Sequence, residues 1–370
     1  NDQWNLHMMG VHNAWRFTQG NDNVVIGVQD TGLGFNANSR THADLTETLF
    51  ISNNVADDFF TEPTSHGTPV QSIISAASNN GLGMSGINWH SDVINIDVLD
   101  NARSDLSLAA ATQSMINYAN SQGQRLVVNM SLGGHGFFNN DFAALVANNQ
   151  NNALFVIAAG NEDIGQIAHP ANLAQLYGNV ISVGASWGKQ DALGRATNPG
   201  DRIHYPGVWG SNYGQGLLLL GPSEVVAASA TNTRAGVHFD MLDDFGGTSA
   251  ATPNVAGVAS LVWSVNPNLS AAQVHQIMQE TAYDLGTQGY DWMTGHGFVN
   301  ADAAVRRAMA IGRTSSSSGF RAFGANAVAS QNPALNGEVD GSAAAISPFV
   351  STAAAPQGYF ILKRDLSKSR

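Results

Sequence analysis

The chain predicts an α/β fold, a parallel sheet with helices on both faces, and three observations carry that prediction. Short apolar runs alternate with helical patterns along the chain, the signature of strands joined by crossover helices. With 43% apolar and only 12% charged residues, the sequence can bury a large core and matches no disordered or coiled-coil composition. At 370 residues it exceeds a usual single domain, yet α/β folds of this kind run long as one unit. The elements follow in order. Val24–Val28 is an apolar strand running into Asp30 and the turn Thr31-Gly-Leu-Gly34, and His66 heads a helix of small and apolar residues over Val70–Ala77. Val93–Val98, Leu126–Asn129, Leu154–Ala158 and Asn179–Val183 read as strands. Leu106–Asn120, Asp141–Asn149 and Ala250–Val265 read as helices. A further helix spans Leu269–Gln279, with Ser270 as its cap, because a serine precedes apolar positions at helical spacing.

Gly247-Thr-Ser-Ala-Ala-Thr-Pro253 is the most informative stretch. It sets Ser249 between a glycine turn and a helix, where unpaired N–H groups and the positive dipole end stabilise negative charge. Pro253 is placed in the first turn, where its missing N–H costs nothing. Taken singly, each residue has a plain structural reading. Ser249 is then an N-cap, Asp30 a turn residue after a strand, and His66 a histidine ahead of a helix. Taken together, they stand in the chain order Asp30, His66, Ser249, one of the orders in which catalytic triads occur.

Over residues 3–305 the chain resembles the subtilisin family of serine endopeptidases, the subtilases. Asp30-Thr-Gly, His66-Gly-Thr and Gly247-Thr-Ser-Ala-Ala-Thr-Pro-Asn-Val-Ala-Gly257 match the family's three catalytic motifs. Three more blocks fit in order: Val128-Asn-Met-Ser-Leu-Gly-Gly134, Phe155-Val-Ile-Ala-Ala-Gly-Asn-Glu162 and Gly295-His-Gly-Phe-Val-Asn-Ala-Asp302. The resemblance implies a three-layer subtilisin-like fold and a triad in which Ser249 attacks a peptide carbonyl. His66 serves as base because its ordinary pKa lies near neutrality. Asp30 holds the imidazole tautomer. The resemblance also implies an oxyanion hole made by the Asn161 side chain and the Ser249 backbone N–H, with Thr248 in support. After His66, Pro69 and Gln71-Ser72 depart from the family pattern, as do Ala250, Thr252 and Asn254 after the nucleophile. None of these is a triad position.

By the same alignment, a peptide substrate pairs with the backbone of Ser131, Leu132, Gly133 and Gly134. Such strand addition is indifferent to side chains. The first specificity pocket is walled by Ser131–Gly133 and by Ala158, Ala159 and Gly160, with Ala168 near its floor and Leu106 bounding the next pocket. No charge sits in those segments, which predicts an apolar or aromatic preference before the scissile bond. Ser78-Asn-Asn-Gly-Leu-Gly-Met84 resembles the family's calcium loop, with Gln3 and Asp44 in the outlying ligand positions. The implied structural Ca²⁺ site is Gln3, Asp44, Ser78, Asn80, Leu82 and Met84, an oxygen-only set suited to a hard cation. A solvated Asn/Gly turn is the other reading of this loop.

Two other readings compete with the triad. Gly184-Ala-Ser-Trp-Gly188 satisfies G-x-S-x-G, the nucleophile elbow of another hydrolase class, but an elbow must open into a helix and Lys189–Gly200 is turn-rich. A subtilase fold kept as a binding module is the non-enzymatic alternative. The net charge of −12 argues against nucleic-acid binding, for which a basic patch is expected. The apolar runs are too short to span a bilayer. With no cysteine in the chain, disulfides, metal thiolates and thiol catalysis are excluded. The start Asn1-Asp-Gln-Trp is polar and carries no signal peptide, while Gln3–Gly10 resembles the opening of a mature subtilase domain. This reading implies a removed propeptide and an exported, bacterial, monomeric enzyme acting on proteins or peptides. The catalytic domain is expected over 1–312. Residues 313–370 form a Ser- and Ala-rich extension or linker with apolar islands at Phe349-Val350 and Tyr359–Leu362 and a basic end. That extension either packs on the acidic body or leads to a further domain.

Overall fold

The computed structural model describes residues 3–45, 48–49, 51–52, 55–59, 62–99, 107–136, 138–317 and 360–361. In chain order the strands are β1 (Val24–Asp30), β2 (Thr48–Leu49), β3 (Val93–Asp97), β4 (Arg125–Met130), β5 (Leu132–Gly133) and β6 (Ala153–Ala158). They continue with β7 (Val180–Ser186), β8 (His204–Tyr205), β9 (Trp209–Gly210), β10 (Leu219–Pro222), β11 (Val225–Thr233), β12 (Gly236–Phe245) and β13 (Phe360–Ile361). The α-helices are α1 (Trp4–Met8), α2 (Val11–Ala14), α3 (Gly67–Ser75), α4 (Leu108–Gln122), α5 (Asn140–Asn148), α6 (Thr248–Val265), α7 (Ala271–Glu280) and α8 (Ala301–Ser317).

Seven strands form one parallel sheet in the order β10-β7-β6-β4-β1-β3-β2. Strands β1, β6 and β7 are buried along their whole length, which is why they read as continuous apolar runs rather than alternating ones. Helix α6 packs on β1, β4, β6, β7 and β10 and against α3, whereas α4 packs on β1 and β4 and against α5. These two groups cover the same strands from opposite faces, giving the predicted three layers. Ser107 caps α4 by accepting from the Ala110 N–H, so this helix begins at Leu108. Ser270 and Gln273 close a reciprocal capping box on α7, as the sequence predicts.

Chain order reverses beside β1, with β3 on one side and β4 on the other. In open α/β sheets the crevice at the carboxyl ends of such neighbouring strands is where ligands bind. Asp30 ends β1, Ser131 follows β4, and Asn161 lies three residues beyond β6. Several elements have no counterpart in the sequence reading, among them β2, β10, α1, α2, α8 and a long hairpin. The hairpin β11–β12 is antiparallel and leads directly into the glycine turn before α6. Helix α8 runs through the expected domain boundary at 312 and on to Ser317.

Candidate active site

Asp30 and His66 form a buried pair. His66 Nδ1 donates to Asp30 Oδ1 at 2.7 Å, and the two side chains are 1% and 0% exposed. A carboxylate can only accept, so the proton sits on Nδ1 and a neutral ring carries its lone pair on Nε2. That Nε2 is buried with no hydrogen-bond partner among the described residues. The pair is braced from below by Thr31. Its hydroxyl accepts from the His66 and Gly67 N–H groups and donates to Asp57 Oδ2 at 2.7 Å. The Thr31 N–H itself donates to Asp30 Oδ1. From above, the Phe245 ring at the end of β12 packs edge-on against His66 at 5.5 Å.

Ser249 is not a cap. Helix α6 begins at Thr248, and its N-cap is Gly247 at φ 84°, with no capping side chain. The serine hydroxyl is therefore spared for other work. Pro253 also differs from expectation, because it lies in the second turn. Its missing N–H leaves the Ser249 carbonyl four residues earlier without a helical partner. Ser131 Oγ fills that gap, donating to the Ser249 carbonyl at 2.9 Å, while Ser249 Oγ donates to the Ser131 carbonyl at 3.3 Å. This reciprocal bond ties the head of α6 to the strand that follows β4.

The Asn161 side chain is oriented by chemistry. Its Oδ1 accepts from both the backbone N–H and the hydroxyl of Thr248 at 2.9 Å. Since an N–H can only donate, Oδ1 must face Thr248, and the donor end of the amide is Nδ2. Behind it stands Asn212, fully buried, whose Oδ1 accepts from the Glu162 and Ile164 N–H groups and whose Nδ2 donates to the Ala159 carbonyl and Glu162 Oε2. Asn212 lies in the segment 194–221, which carries no motif, and nothing in the sequence singles it out.

The expected cleft residues come together. The Ala168 N–H donates to the Ala159 carbonyl, and Gly134 exchanges two backbone bonds with His169. A Cβ on Gly133 would sit 2.8 Å from the His169 carbonyl and 3.6 Å from Ala168 Cβ, so this wall requires glycine. Leu132, Ala158 and Ala159 are buried beside it. A Cβ on Gly160 would lie 2.7 Å from Glu162 Oε2, which places one carboxylate near that wall. Leu106 lies outside the described residues. Ser186, the elbow candidate, ends β7 fully buried with its hydroxyl bonded to the Gly221 carbonyl. It is a structural serine.

Gln3, Asp44 and the 78–84 loop also converge. Asp44 is fully buried, and its oxygens accept from Asn80 Nδ2 at 2.7 Å and the Met84 N–H at 3.0 Å. Asn80 Oδ1 accepts from the Leu82 N–H, Gln3 binds both backbone groups of Ser85, and Ser78 Oγ is buried without a partner. Among the described residues no cationic side chain pairs with Asp44, and no three His, Cys, Asp or Glu side chains cluster.

Further carboxylates lie close to the Asp30–His66 pair. Asp97 stands opposite Asp30 in the β1–β3 register. Burial, reinforced by the charges of Asp57, Asp58 and Asp30, pushes its carboxyl up to about 8 against the opposing Leu99 N–H bond. Burial likewise raises Asp57.

Known proteins share both the sequence and the fold. The chain is 30% identical to the halolysin-like extracellular serine protease Nep of Natrialba magadii, over 82% of this chain and 51% of that protein. It is 29% identical to the cell wall-associated protease of Bacillus subtilis, over 78% of this chain and 31% of that protein. Subtilisin Savinase of Lederbergia lenta is 30% identical over 76% of this chain and 91% of its own length. The chain thus spans only about a third to a half of the first two relatives. The crystal structure of a psychrophilic subtilisin-like protease from the Antarctic psychrotroph Pseudoalteromonas sp. AS-11 shares the fold at TM-score 0.61 and 21% identity, covering 83% of this chain and 98% of that one. No helix among the described residues is long and apolar enough to cross a membrane. A sequence profile of the subtilase family matches residues 21–297, and with the Asp30–His66 pair, the head of α6 and the Asn161 loop gathered at the carboxyl ends of the central strands, the chain belongs to that family.

Proposed function

We propose that the chain is a serine endopeptidase, cutting peptide bonds through an acyl-enzyme on Ser249. The observation that carries this reading is the buried Asp30–His66 pair, whose outer ring nitrogen is left without a partner. A serine hydroxyl is a weak nucleophile until a base takes its proton. Ser249 Oγ gives up its long bond to the Ser131 carbonyl and passes its proton to His66 Nε2 as it attacks the scissile carbonyl carbon. The carbonyl oxygen becomes an oxyanion, met by Asn161 Nδ2 and the Ser249 N–H at the positive end of α6. His66 then returns the proton to the leaving amine, and water repeats the sequence to release the acid. Asp30 offsets the imidazolium charge throughout. An extended substrate whose N–H bonds to the Ser131 carbonyl would displace Ser249 Oγ from it, so binding itself frees the nucleophile.

Labelling with a fluorophosphonate and mapping the modified peptide tests this. The expected label lies on Ser249 and is lost in His66→Ala; no label on any serine would favour a binding module. The uncharged walls at Ser131–Gly133 and Ala158–Gly160 support an apolar or aromatic preference before the scissile bond. A panel of peptide anilides reads it, and preference for Lys or Arg, drawn by Glu162, would overturn it. The same reading assigns residues 1–312 to the catalytic unit and 313–370 to an extension. Export is supported by the extracellular relative from Natrialba magadii. Monomeric action on proteins or peptides after propeptide loss belongs to the reading through resemblance to the family.

A structural Ca²⁺ is part of the proposal. Its support is a buried carboxylate with no cationic partner and a Ser78 hydroxyl with no hydrogen-bond partner, both among the described residues, and an oxygen-rich loop of the right chemistry. Gln3, Asp44 and Asn80 would hold the ion by side-chain oxygens, and Ser78, Leu82 and Met84 by carbonyls. It would stabilise the loop and take no part in the reaction. Chelation is expected to lower the melting temperature; an unchanged value would mean that the N–H donors already on Asp44 replace the cation.

A further inference from the structure

The C-terminal extension returns to the cleft. Strand β13 (Phe360–Ile361) pairs antiparallel with β5 (Leu132–Gly133), with Phe360 opposite Gly133 and Ile361 opposite Leu132. Strand β5 is the segment expected to receive substrate by strand addition. Backbone groups of successive strand residues point to opposite sides. Gly134 spends its N–H and carbonyl on His169, so those of Gly133 face the other way, along the edge that β13 covers.

Direction adds to position. Because the pairing is antiparallel, the chain runs from Phe360 to Ile361 as β5 is followed backward from Gly133 to Leu132. The next residue on that path is Ser131, whose carbonyl accepts from Ser249 Oγ. A peptide in this register approaches the nucleophile with its carboxyl side foremost, as an acyl donor must. The local sequence Gly358-Tyr-Phe-Ile-Leu-Lys363 is apolar at its centre, in keeping with the apolar preference proposed for the cleft. Backbone pairing gives such an insertion its affinity, while the side-chain pockets set its specificity.

We propose that the strand Phe360–Ile361 is a built-in, substrate-like occupant of the cleft, competing with peptide substrates for strand β5. The proposal rests on the endopeptidase reading for its consequence, though not for the docking itself. A segment on the same chain competes intramolecularly, at an effective concentration set by the chain that joins it to the body. Even a weakly binding tail then raises the apparent KM while leaving kcat alone.

The test has two arms. In the full chain carrying Ser249→Ala, which cannot cut itself, amide exchange at Gly133 is compared with and without Phe360→Pro. Proline removes the N–H opposite Gly133 and leaves the folded body untouched. Exchange at Gly133 is expected to accelerate at least tenfold; equal rates would overturn the docking. In the active Phe360→Pro chain, a synthetic peptide of residues 356–364 is then tested against an anilide substrate. Competitive inhibition, absent for the same peptide with Phe360→Pro, is the expected result. Failure of both peptides to inhibit would overturn the competition. If exchange responds but neither chain hydrolyses any substrate, the docking stands and the endopeptidase reading is what fails.

Discussion

Asn161 shows how one side chain is made single-purpose. Thr248 donates to its amide oxygen twice, and Asn212 pins the loop on both sides of it. The amide is held before any substrate arrives, and preorganised donors of this kind need no reorganisation during reaction. Asn161→Ala is expected to lower kcat by about 10²–10³, the scale established for one oxyanion donor in a subtilisin, with KM little changed. An equal loss confined to KM would mean that Asn161 binds ground-state substrate instead. Asn212→Ala leaves the Glu162 and Ile164 N–H groups without their partner. It should cost stability by about 1–3 kcal/mol, read as a lower denaturation midpoint, and should lower kcat through a loosened Asn161.

At the scale of elements, the informative one is the helix that carries its own defect. Pro253 leaves the Ser249 carbonyl open inside α6, and Ser131 closes it from another strand. A double-mutant cycle reads this coupling. Ser131→Ala orphans a buried carbonyl and should cost about 1–3 kcal/mol. In Pro253→Ala the restored N–H takes that carbonyl, and the cost of Ser131→Ala should fall by half or more. Additive effects would overturn the linkage, since independent sites add. The central sheet strands, the main helices and the residues of the Asp30–His66 pair were legible because each depends on local pattern: apolar runs for β1 and β6, a serine cap for α7, glycine before α6. The hairpin β11–β12 was not. Strand β12 has no buried residue and so lacks the in-out apolar signal that marks a strand. Thr31, Asp57 and Asn212 were equally silent, because their roles are set by partners up to 53 residues away. Pro253 was misread by one turn, since the sequence does not fix where α6 starts.

Across the whole molecule, two titratable groups, one buried and one half-buried, set opposed pH responses. Asp97 is pushed up from 3.8 to about 8, by burial first. The folded state therefore holds a proton that the unfolded state has lost, and stability falls as pH rises from about 4 to about 8. His275, half-buried on α7, is pushed down from 6.5 to about 4 by burial and then by the charge of His296. Here the unfolded state binds the extra proton, so stability rises with pH across about 4 to 6.5 and is flat above. Each proton contributes a slope of about 1.4 kcal/mol per pH unit. Between pH 4 and 6.5 the two slopes cancel; above 6.5 only the Asp97 loss continues. Asp97→Asn removes the falling term. Its stability relative to the parent should grow steadily from pH 4 to 8, by a few kcal/mol in all, and level off beyond. His275→Gln should do the reverse on the acid side: the parent's advantage over it should shrink as pH falls from 6.5 to 4. Denaturant titrations of both variants and the parent at half-unit pH steps measure these differences directly. Other groups that titrate in this range cancel in the comparison. A parallel offset between Asp97→Asn and the parent at every pH would show that Asp97 is ionised in the folded protein, and that the carboxylates beside the triad do not share their charge in this way.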